Sequence, residues 1–323
     1  MRLRDLGERR LISGIRQAVP AKPRGVILGI GDDAAVVRSP GTLVLTHDLL
    51  VEDVDFRRAL HPPRLLGRKA LNVNLSDIAA MGGRPLHAVL GLALPGGIGR
   101  RWLGQFLRGV LDAAGAARVA LVGGDLSSSR QIVIAVTLTG EARRFVTRSG
   151  AKPGDRLFVS GTLGDAAMGL RLVERGPARG KSRPAGRLVK AFLNPSPRLE
   201  LGLLLARRGL ASAMIDVSDG LAVDLAHICE ESRVGAELEL GRVPISSALR
   251  AASRRPLDMA LHGGEDFELL FTVRPRNVPR LRSLGKRFMI TEIGRITAGR
   301  KILEVDPAGK KRPLKIKGYE HFR

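Results

Sequence analysis

Two kinds of hydrophobic pattern alternate along the chain. Nearly continuous apolar runs such as "LVLTHDLLV", "HAVLGLAL" and "QIVIAVTLTG" predict β-strands. Apolar residues spaced three and four positions apart in "PRLLGRKALNVNLSDIAAMG" and "RRWLGQFLRGVLDAAG" predict amphipathic helices. Because predicted strands and helices follow one another throughout the chain, the pattern predicts the α/β (α+β) class.

The turn residues of "RSGAKPGD" predict a domain boundary. They separate a long predicted strand from the next one, "RLFVSG", and the second half again mixes helices such as "LAVDLAHICEE" with strands such as "FELLFTV". We therefore predict two α/β domains, residues 1–148 and 149–323. The Arg- and Lys-rich segment 171–190 contains Pro and Gly, and we predict a loop there.

The charge of the chain raises the question of a polyanionic partner. The 323 residues include 54 Lys and Arg against 31 Asp and Glu, a formal net charge of +23, which makes nucleic acid a candidate partner. Aromatic residues are only 3% of the chain, with one Trp and one Tyr, so few side chains could stack on bases. A solvated Arg-rich surface explains the charge better. Nucleic-acid binding stays as the alternative from a different class.

Cysteine content and hydropathy indicate the compartment. Cys229 is the only cysteine, so no internal disulfide is possible. The opening residues "MRLRDLGERR" are followed by no apolar signal region, and no apolar run is long enough to span a bilayer. We therefore predict a cytoplasmic protein with no membrane partner.

One segment partly matches the Walker motif of phosphate-binding loops. In "GPARGKS", Gly176 and Gly180 are separated by three residues, whereas the Walker motif requires four. The preceding "GLRLVER" predicts a helix rather than the strand which that motif follows. We therefore reject a Walker-type site.

Acidic residues recur beside small residues, mostly after apolar runs. A single Asp next to Gly usually forms a turn or caps a helix. Here several such acids occur in a chain that has few, and hard oxygen ligands of this kind suit Mg²⁺ bound to a nucleotide. The acids are Asp32 and Asp33 in "GIGDDAA", Asp48 in "THDLL", Asp77 in "NLSDIAAMGG", Asp125 in "VGGDLSSS", Asp216 and Asp219 in "IDVSDGLAVD", and Glu265 and Asp266 in "HGGEDFELL".

Several sequence blocks together resemble a known family. The blocks, in chain order, are "GIGDDAAVV", "RKALNVNLSDIAAMGGRP", "GGDLSSS", "TRSGAKPGD", "IDVSDGLAVDL", "GGEDFELLFTV" and "KGYEHF". They resemble the bacterial thiamine-monophosphate kinase family, and the likeness runs from about Gly29 to Phe322.

This resemblance implies a fold and a reaction. The fold would be the two-domain aminoimidazole ribonucleotide synthetase-like fold, with mixed sheets covered by helices. Residues 1–148 would bind ATP and Mg²⁺ and pair in a homodimer, and residues 149–323 would form the C-terminal α/β domain. ATP and several Mg²⁺ ions would bind between elements of both domains. ATP would phosphorylate thiamine monophosphate to thiamine diphosphate.

Carried over position by position, the resemblance also implies site residues. The implied metal ligands are Asp33, Thr46, Asp48, Asp77, Asp125, Asp216 and Asp219. The implied ATP contacts are Gly124, Asp125, Arg148 and Ser218, and the implied substrate contacts are Asp55, Glu265 and Tyr319. Asp125 and Arg148 would be catalytic. The acceptor phosphate oxygen is already anionic near neutral pH, so positioning and charge neutralisation suffice without a general base.

The stretch "THDLLVEDVDF" departs from the family pattern. His47 replaces a hydroxyl residue, Asp53 replaces Gly and Asp55 replaces His. A carboxylate at residue 55 would repel the substrate phosphate unless Mg²⁺ or a basic group neutralises it. His47 could be a packing residue, a replacement ligand or a phosphate donor, and we favour packing or a place behind the ligands.

Sister families fit the sequence less well. A selenophosphate synthetase would carry a reactive Cys or selenocysteine near its N-terminal glycine loop, and the hydrogenase-maturation relative ends in a cysteine-bearing tail. Here Cys229 is the only cysteine and the chain ends "KGYEHFR". A related ATP-dependent kinase or synthetase that acts on another small phosphate ester remains open.

Overall fold

The chain divides between Arg143 and Arg144. The computed structural model describes residues 17–18, 26–28, 36–37, 41–176 and 183–319. The N-terminal unit comprises Met1–Ile78 and Arg84–Arg143, and the C-terminal unit comprises Ala79–Gly83 and Arg144–Arg323. The predicted boundary at residue 148 falls a few residues after this division, so Arg148 belongs to the C-terminal unit.

A four-stranded sheet forms the centre of the N-terminal unit. Its order is β3-β6-β4-β5, and only β4 and β5 are parallel. Two short strands pair separately, β1 with β2. The strands are β1 (Val26–Leu28), β2 (Val36–Val37), β3 (Leu43–Val51), β4 (Arg84–Leu94), β5 (Ala120–Ser128) and β6 (Val133–Glu141).

Helices α1 (Pro63–Ala80) and α2 (Arg100–Ala117) accompany this sheet. The helices cross so closely that a Cβ added at Gly109 would lie 1.9 Å from the carbonyl oxygen of Arg64. Burial alternates along β6, as expected for a sheet with one covered face: Ile134, Val136 and Leu138 are buried, while Ala135 and Thr137 are partly exposed.

A mixed seven-stranded sheet forms the centre of the C-terminal unit. Its order is β13-β12-β9-β11-β7-β10-β8, and all neighbours are antiparallel except β12 and β9. The strands are β7 (Arg156–Ser160), β8 (Ala211–Asp216), β9 (Gly235–Glu239), β10 (Leu269–Val273), β11 (Ile290–Thr297), β12 (Ile302–Val305) and β13 (Lys311–Pro313).

Both faces of this sheet are buried at its centre, in β7 and β10, whereas the edge strand β13 is exposed. Leu157 and Val159 of β7 belong to a core cluster with α6, while Phe158 belongs to a second cluster with α5. This is the alternation that a strand with two covered faces produces. The helices are α3 (Asp165–Glu174), α4 (Arg183–Leu193), α5 (Leu199–Arg207), α6 (Leu221–Ser232), α7 (Ser247–Ala252), α8 (Pro256–His262) and α9 (Val278–Arg282).

The structure confirms the α/β class and the mixed sheets covered by helices. The loop predicted for residues 171–190 is wrong at both ends, because α3 continues to Glu174 and α4 begins at Arg183. Pro184 stands in the first turn of α4, where a proline needs no hydrogen-bond donor, and Leu188 is fully buried. Among the described helices, none combines the length and apolar character that crossing a membrane requires.

The close helix crossing can be tested with two alanine substitutions in α2. We expect Gly109→Ala to destabilise the protein by about 1–3 kcal/mol, because its Cβ would overlap backbone that cannot move without separating the helices. Gly104→Ala is the matched control, since nothing lies within 4 Å of its added Cβ. It should be neutral or stabilising by up to about 1 kcal/mol. Denaturant unfolding measures both, and equal effects would contradict the crossing.

Candidate active site

Three of the predicted metal ligands meet in the N-terminal unit. Thr46 and Asp48 stand two residues apart on β3, so their side chains share one face of the sheet. Asp77 comes from α1, and its carboxylate accepts a hydrogen bond from the Thr46 hydroxyl group. The sequence placed these residues in one site, and the structure brings them together.

Asp48 is the member of this cluster with an unsatisfied carboxylate oxygen. Its Oδ2 atom is buried and has no hydrogen-bond partner in the described part of the chain. Burial, and then the nearby charge of Asp77, raise the pKa of Asp48 to about 7. A buried carboxylate oxygen without a partner is costly, and a bound cation would supply the missing interaction. Carboxylate and hydroxyl oxygens are donors that Mg²⁺ accepts, so these three residues fit Mg²⁺.

Gly124 and Asp125 lie on β5, beside β4. A Cβ added at Gly124 would lie 2.1 Å from the carbonyl oxygen of Leu90, so only glycine fits at this position. Asp125 is exposed. Strands β6 and β4 lie between β3 and β5, which separates Asp125 from Asp48 by roughly 14 Å at the usual strand spacing. Within this chain the structure does not bring Asp125 next to Asp48.

Asp33, the remaining predicted ligand of the N-terminal unit, lies outside the described residues. Asp216 is the last residue of β8, whereas Asp48, Asp77 and Asp125 lie inside regular elements. Their small neighbours suggested turns, but the apolar periodicity of the longer segments decided the local structure.

In the C-terminal unit the predicted residues converge on the loop between β8 and α6. Asp216 is buried at the end of β8, and Ser218 and Asp219 follow it. The backbone N–H of Glu265 donates to the carbonyl oxygen of Ser218 at 2.7 Å, and that of Tyr319 donates to the carbonyl oxygen of Asp219 at 3.2 Å. Backbone hydrogen bonds therefore join Ser218 and Asp219 to Glu265 and Tyr319, the two predicted substrate residues of this unit.

Two further residues at this loop received no role from the sequence. Asp219, Asp224 and His227 can each offer one ligand atom, and those atoms lie within 4.8 Å of one another. Burial, followed by the charges of Asp216 and Asp219, raises the pKa of Asp224 to about 8, although backbone N–H groups oppose the shift. Asp224 and His227 are three residues apart on the predicted helix, so the sequence alone already indicated that their side chains lie close together.

Arg148 opens a short 3₁₀ turn, Arg148–Gly150. Its carbonyl oxygen accepts a hydrogen bond of 2.7 Å from the Ser232 hydroxyl, whereas its side chain is exposed. In the described chain no hydrogen bond or ion pair joins the guanidinium group to the loop that carries Ser218.

The residues that depart from the family pattern have local explanations. Asp53 has φ +66°, a left-handed conformation that glycine adopts freely and that Asp tolerates better than most residues. Asp55 Oδ2 accepts a hydrogen bond of 2.8 Å from the Val51 N–H and so stabilises the turn after β3. His47 lies on the face of β3 opposite to Asp48, and its Nδ1 is 2.8 Å from the hydroxyl of Thr137.

Comparison with known proteins defines the class first. Residues 31–142 match the N-terminal domain of AIR synthase related proteins, and residues 152–306 match the C-terminal domain. The chain is thus a two-domain protein of the AIR synthase related class.

Relatives then define the family. The thiamine-monophosphate kinase of Escherichia coli (strain K12) is 39% identical over 325 residues, 98% of each chain. The crystal structure of thiamine-monophosphate kinase from Stenotrophomonas maltophilia K279a matches with a TM-score of 0.84 and 38% identity, over 94% of this chain and 96% of that one. AaThiL complexed with AMPPCP and TMP matches with a TM-score of 0.80 and 35% identity, over 100% and 99%. The chain belongs to the thiamine-monophosphate kinase family.

The pKa of Asp48 predicts how stability depends on pH without metal. Its folded-state pKa of about 7 lies above the ordinary 3.8, so the folded protein binds more protons than the unfolded chain between these values. Raising the pH through this window should therefore lower the free energy of unfolding, and Mg²⁺ should restore it. We expect the melting temperature in EDTA to fall more between about pH 5 and pH 8 for the wild type than for Asp48→Asn. The same pH dependence in both proteins would contradict the assignment.

Proposed function

We propose that this chain transfers the γ-phosphoryl group of ATP to the phosphate of thiamine monophosphate, with thiamine diphosphate and ADP as products. The observation that carries the proposal is the likeness over nearly the whole chain to thiamine-monophosphate kinases. AaThiL complexed with AMPPCP and TMP has the same fold, which supports ATP and thiamine monophosphate as the two substrates.

The chemistry asks for positioning rather than for a protein base. An oxygen of the substrate phosphate attacks the γ-phosphorus, the bond to the β,γ-bridging oxygen breaks, and the electron pair leaves with ADP. The attacking oxygen is already anionic near neutral pH, so no side chain must remove a proton. Asp125 and Arg148 are the proposed catalytic residues, with Arg148 stabilising negative charge on the transferred group.

Mg²⁺ is the proposed metal. In the N-terminal unit Thr46, Asp48 and Asp77 would hold one ion, and Asp33 is a further proposed ligand. Asp125, roughly 14 Å from Asp48 within this chain, would bind a different ion. Asp216 and Asp219 are the proposed ligands of the C-terminal unit. The unsatisfied Oδ2 atom of Asp48 is the structural support for a cation. When bound, Mg²⁺ neutralises phosphate charge. Gly124, Asp125, Arg148 and Ser218 are the proposed ATP contacts.

Glu265 and Tyr319 are the proposed contacts to the thiamine moiety, and both are hydrogen-bonded through their backbones to the Ser218–Asp219 loop. A carboxylate suits this role because the thiazolium ring of thiamine is cationic. Asp55 is proposed near the substrate phosphate. Its bond to the Val51 N–H means that a substitution there would also disturb the turn. Cytoplasmic location stays a prediction from the sequence.

We propose a homodimer formed by the open face of the N-terminal sheet. On β3, Leu43, Leu45 and Leu49 are 51%, 68% and 51% exposed, and Val89 on β4 is 40% exposed. These leucines alternate with the residues that face inward, so they share one face of β3 with His47 and form a mostly apolar stripe. A second copy of the chain is the occupant that the family resemblance implies.

A turnover screen tests the proposed reaction. The purified protein with ATP and Mg²⁺ should form thiamine diphosphate from thiamine monophosphate, with little or no product from thiamine or from other phosphomonoesters.

Asp77→Asn should reduce turnover by about a hundredfold or more, because it removes a charged oxygen ligand. Chromatography of the thiamine products measures this. Phosphorylation of thiamine alone, or of none of the compounds, would reject the assignment.

Sedimentation velocity tests the proposed dimer. Leu45→Asp places a charge in the middle of the apolar stripe and should shift the protein from dimer to monomer at micromolar concentration. Met289→Asp is the matched control, because Met289 is also an exposed apolar residue, at 57%, but belongs to the C-terminal unit. A wild-type monomer, or a dimer in both variants, would refute this interface.

A further inference from the structure

The segment between α8 and β10 holds an unusual backbone. Glu265 has φ +68° and Phe267 has φ +50°, so two non-glycine residues on either side of Asp266 occupy the left-handed region. Residues other than glycine rarely adopt this region, and they do so only where the surroundings determine the conformation. Something must therefore hold this segment in place.

One set of restraints comes from the loop that follows β8. The N–H of Glu265 donates to Ser218 at 2.7 Å, the N–H of Phe267 donates to Val217 at 2.8 Å, and the N–H of Val217 donates to Glu268 at 2.8 Å. All three bonds join backbone atoms on the side of the segment that faces Val217 and Ser218. They do not restrain its opposite side.

The side chain of Asp266 supplies the second restraint. Its Oδ2 accepts from the N–H of Gly164 at 2.5 Å and its Oδ1 accepts from the N–H of Ala166 at 3.1 Å. Both amides lie at the start of α3, where N–H groups have no partner within the helix. Burial raises the pKa of Asp266 to about 8, although these two N–H donors oppose the shift. The Asp266 side chain thus satisfies two backbone donors that the helix itself leaves without a partner.

We infer that Asp266 is a positioning residue: by holding the start of α3 it keeps Glu265 in its left-handed conformation and so directs the Glu265 carboxylate toward the substrate. The inference rests on the proposed function. Asp266 acts through Glu265, and it uses both carboxylate oxygens on backbone amides that lie about a hundred residues earlier in the chain.

Two substitutions and a matched control test this role. Asp266→Asn keeps the shape of the side chain but only one of its two acceptor oxygens, and Asp266→Ala removes both oxygens. Asp165→Asn is the control: Asp165 begins the same helix and is buried, but it accepts from Thr162 at 2.9 Å and from Ser246, not from the segment around Glu265.

We expect KM for thiamine monophosphate to rise about fivefold to tenfold in Asp266→Asn and further in Asp266→Ala, with kcat and KM for ATP changed less than about threefold. Hydrogen exchange of the Glu265 and Phe267 amides should accelerate in the same order. Asp165→Asn should lower only the melting temperature, which separates loss of stability from loss of positioning.

The two readouts separate the failure of this inference from failure of the proposed function. Absence of wild-type turnover on thiamine monophosphate would reject the function, while the exchange rates would still report on the anchor. Unchanged exchange at Glu265 and Phe267 in Asp266→Asn would overturn the anchor. Faster exchange with an unchanged KM, or the same KM rise in Asp165→Asn, would overturn the positioning role. Should Asp266→Ala not fold, the isosteric Asn variant decides.

Discussion

The candidate site depends on carboxylates that the fold encloses close to one another, where their negative charges repel. Asp48 shows it most clearly: it is held near Asp77, one of its oxygens has no partner in the described chain, and its pKa is raised to about 7. The same situation recurs in the C-terminal unit, where Asp224 lies near Asp216 and Asp219. Such groups persist when the fold holds them in place for a ligand that supplies positive charge.

The scaffold explains how these groups are held. Asp48 lies on a strand and Asp77 on a long helix, so regular elements set the backbone positions of both residues. In the C-terminal unit, backbone hydrogen bonds tie the Ser218–Asp219 loop to Glu265 and Tyr319. Sites carried by regular elements and cross-linked loops keep their geometry better than sites on free loops. The large positive charge contributes a favourable field for phosphate esters rather than a specific contact.

Much of the fold could be predicted from the sequence, because the spacing of apolar residues within one segment indicates whether it forms a strand or a helix. The helix that carries Asp77 and the strand that carries Asp48 follow directly from apolar spacing. The loop predicted around Pro184 failed because a proline in the first helical turn looks the same in sequence as a proline in a loop. The anchor made by Asp266 was not predictable, since its partner Gly164 is 102 residues away in sequence. The family resemblance identified the candidate site residues, and the structure shows which of them lie close together.

We propose that Asp48 belongs to a cation site and is protonated when the cation is absent. Proton release on adding saturating Mg²⁺ in a pH-stat tests it most directly, because Mg²⁺ and a proton compete for the same carboxylate. At about pH 6 the wild type should release about one proton more than Asp48→Asn, and the difference should vanish by about pH 8.5. Equal proton release from the two proteins at both pH values would contradict the account.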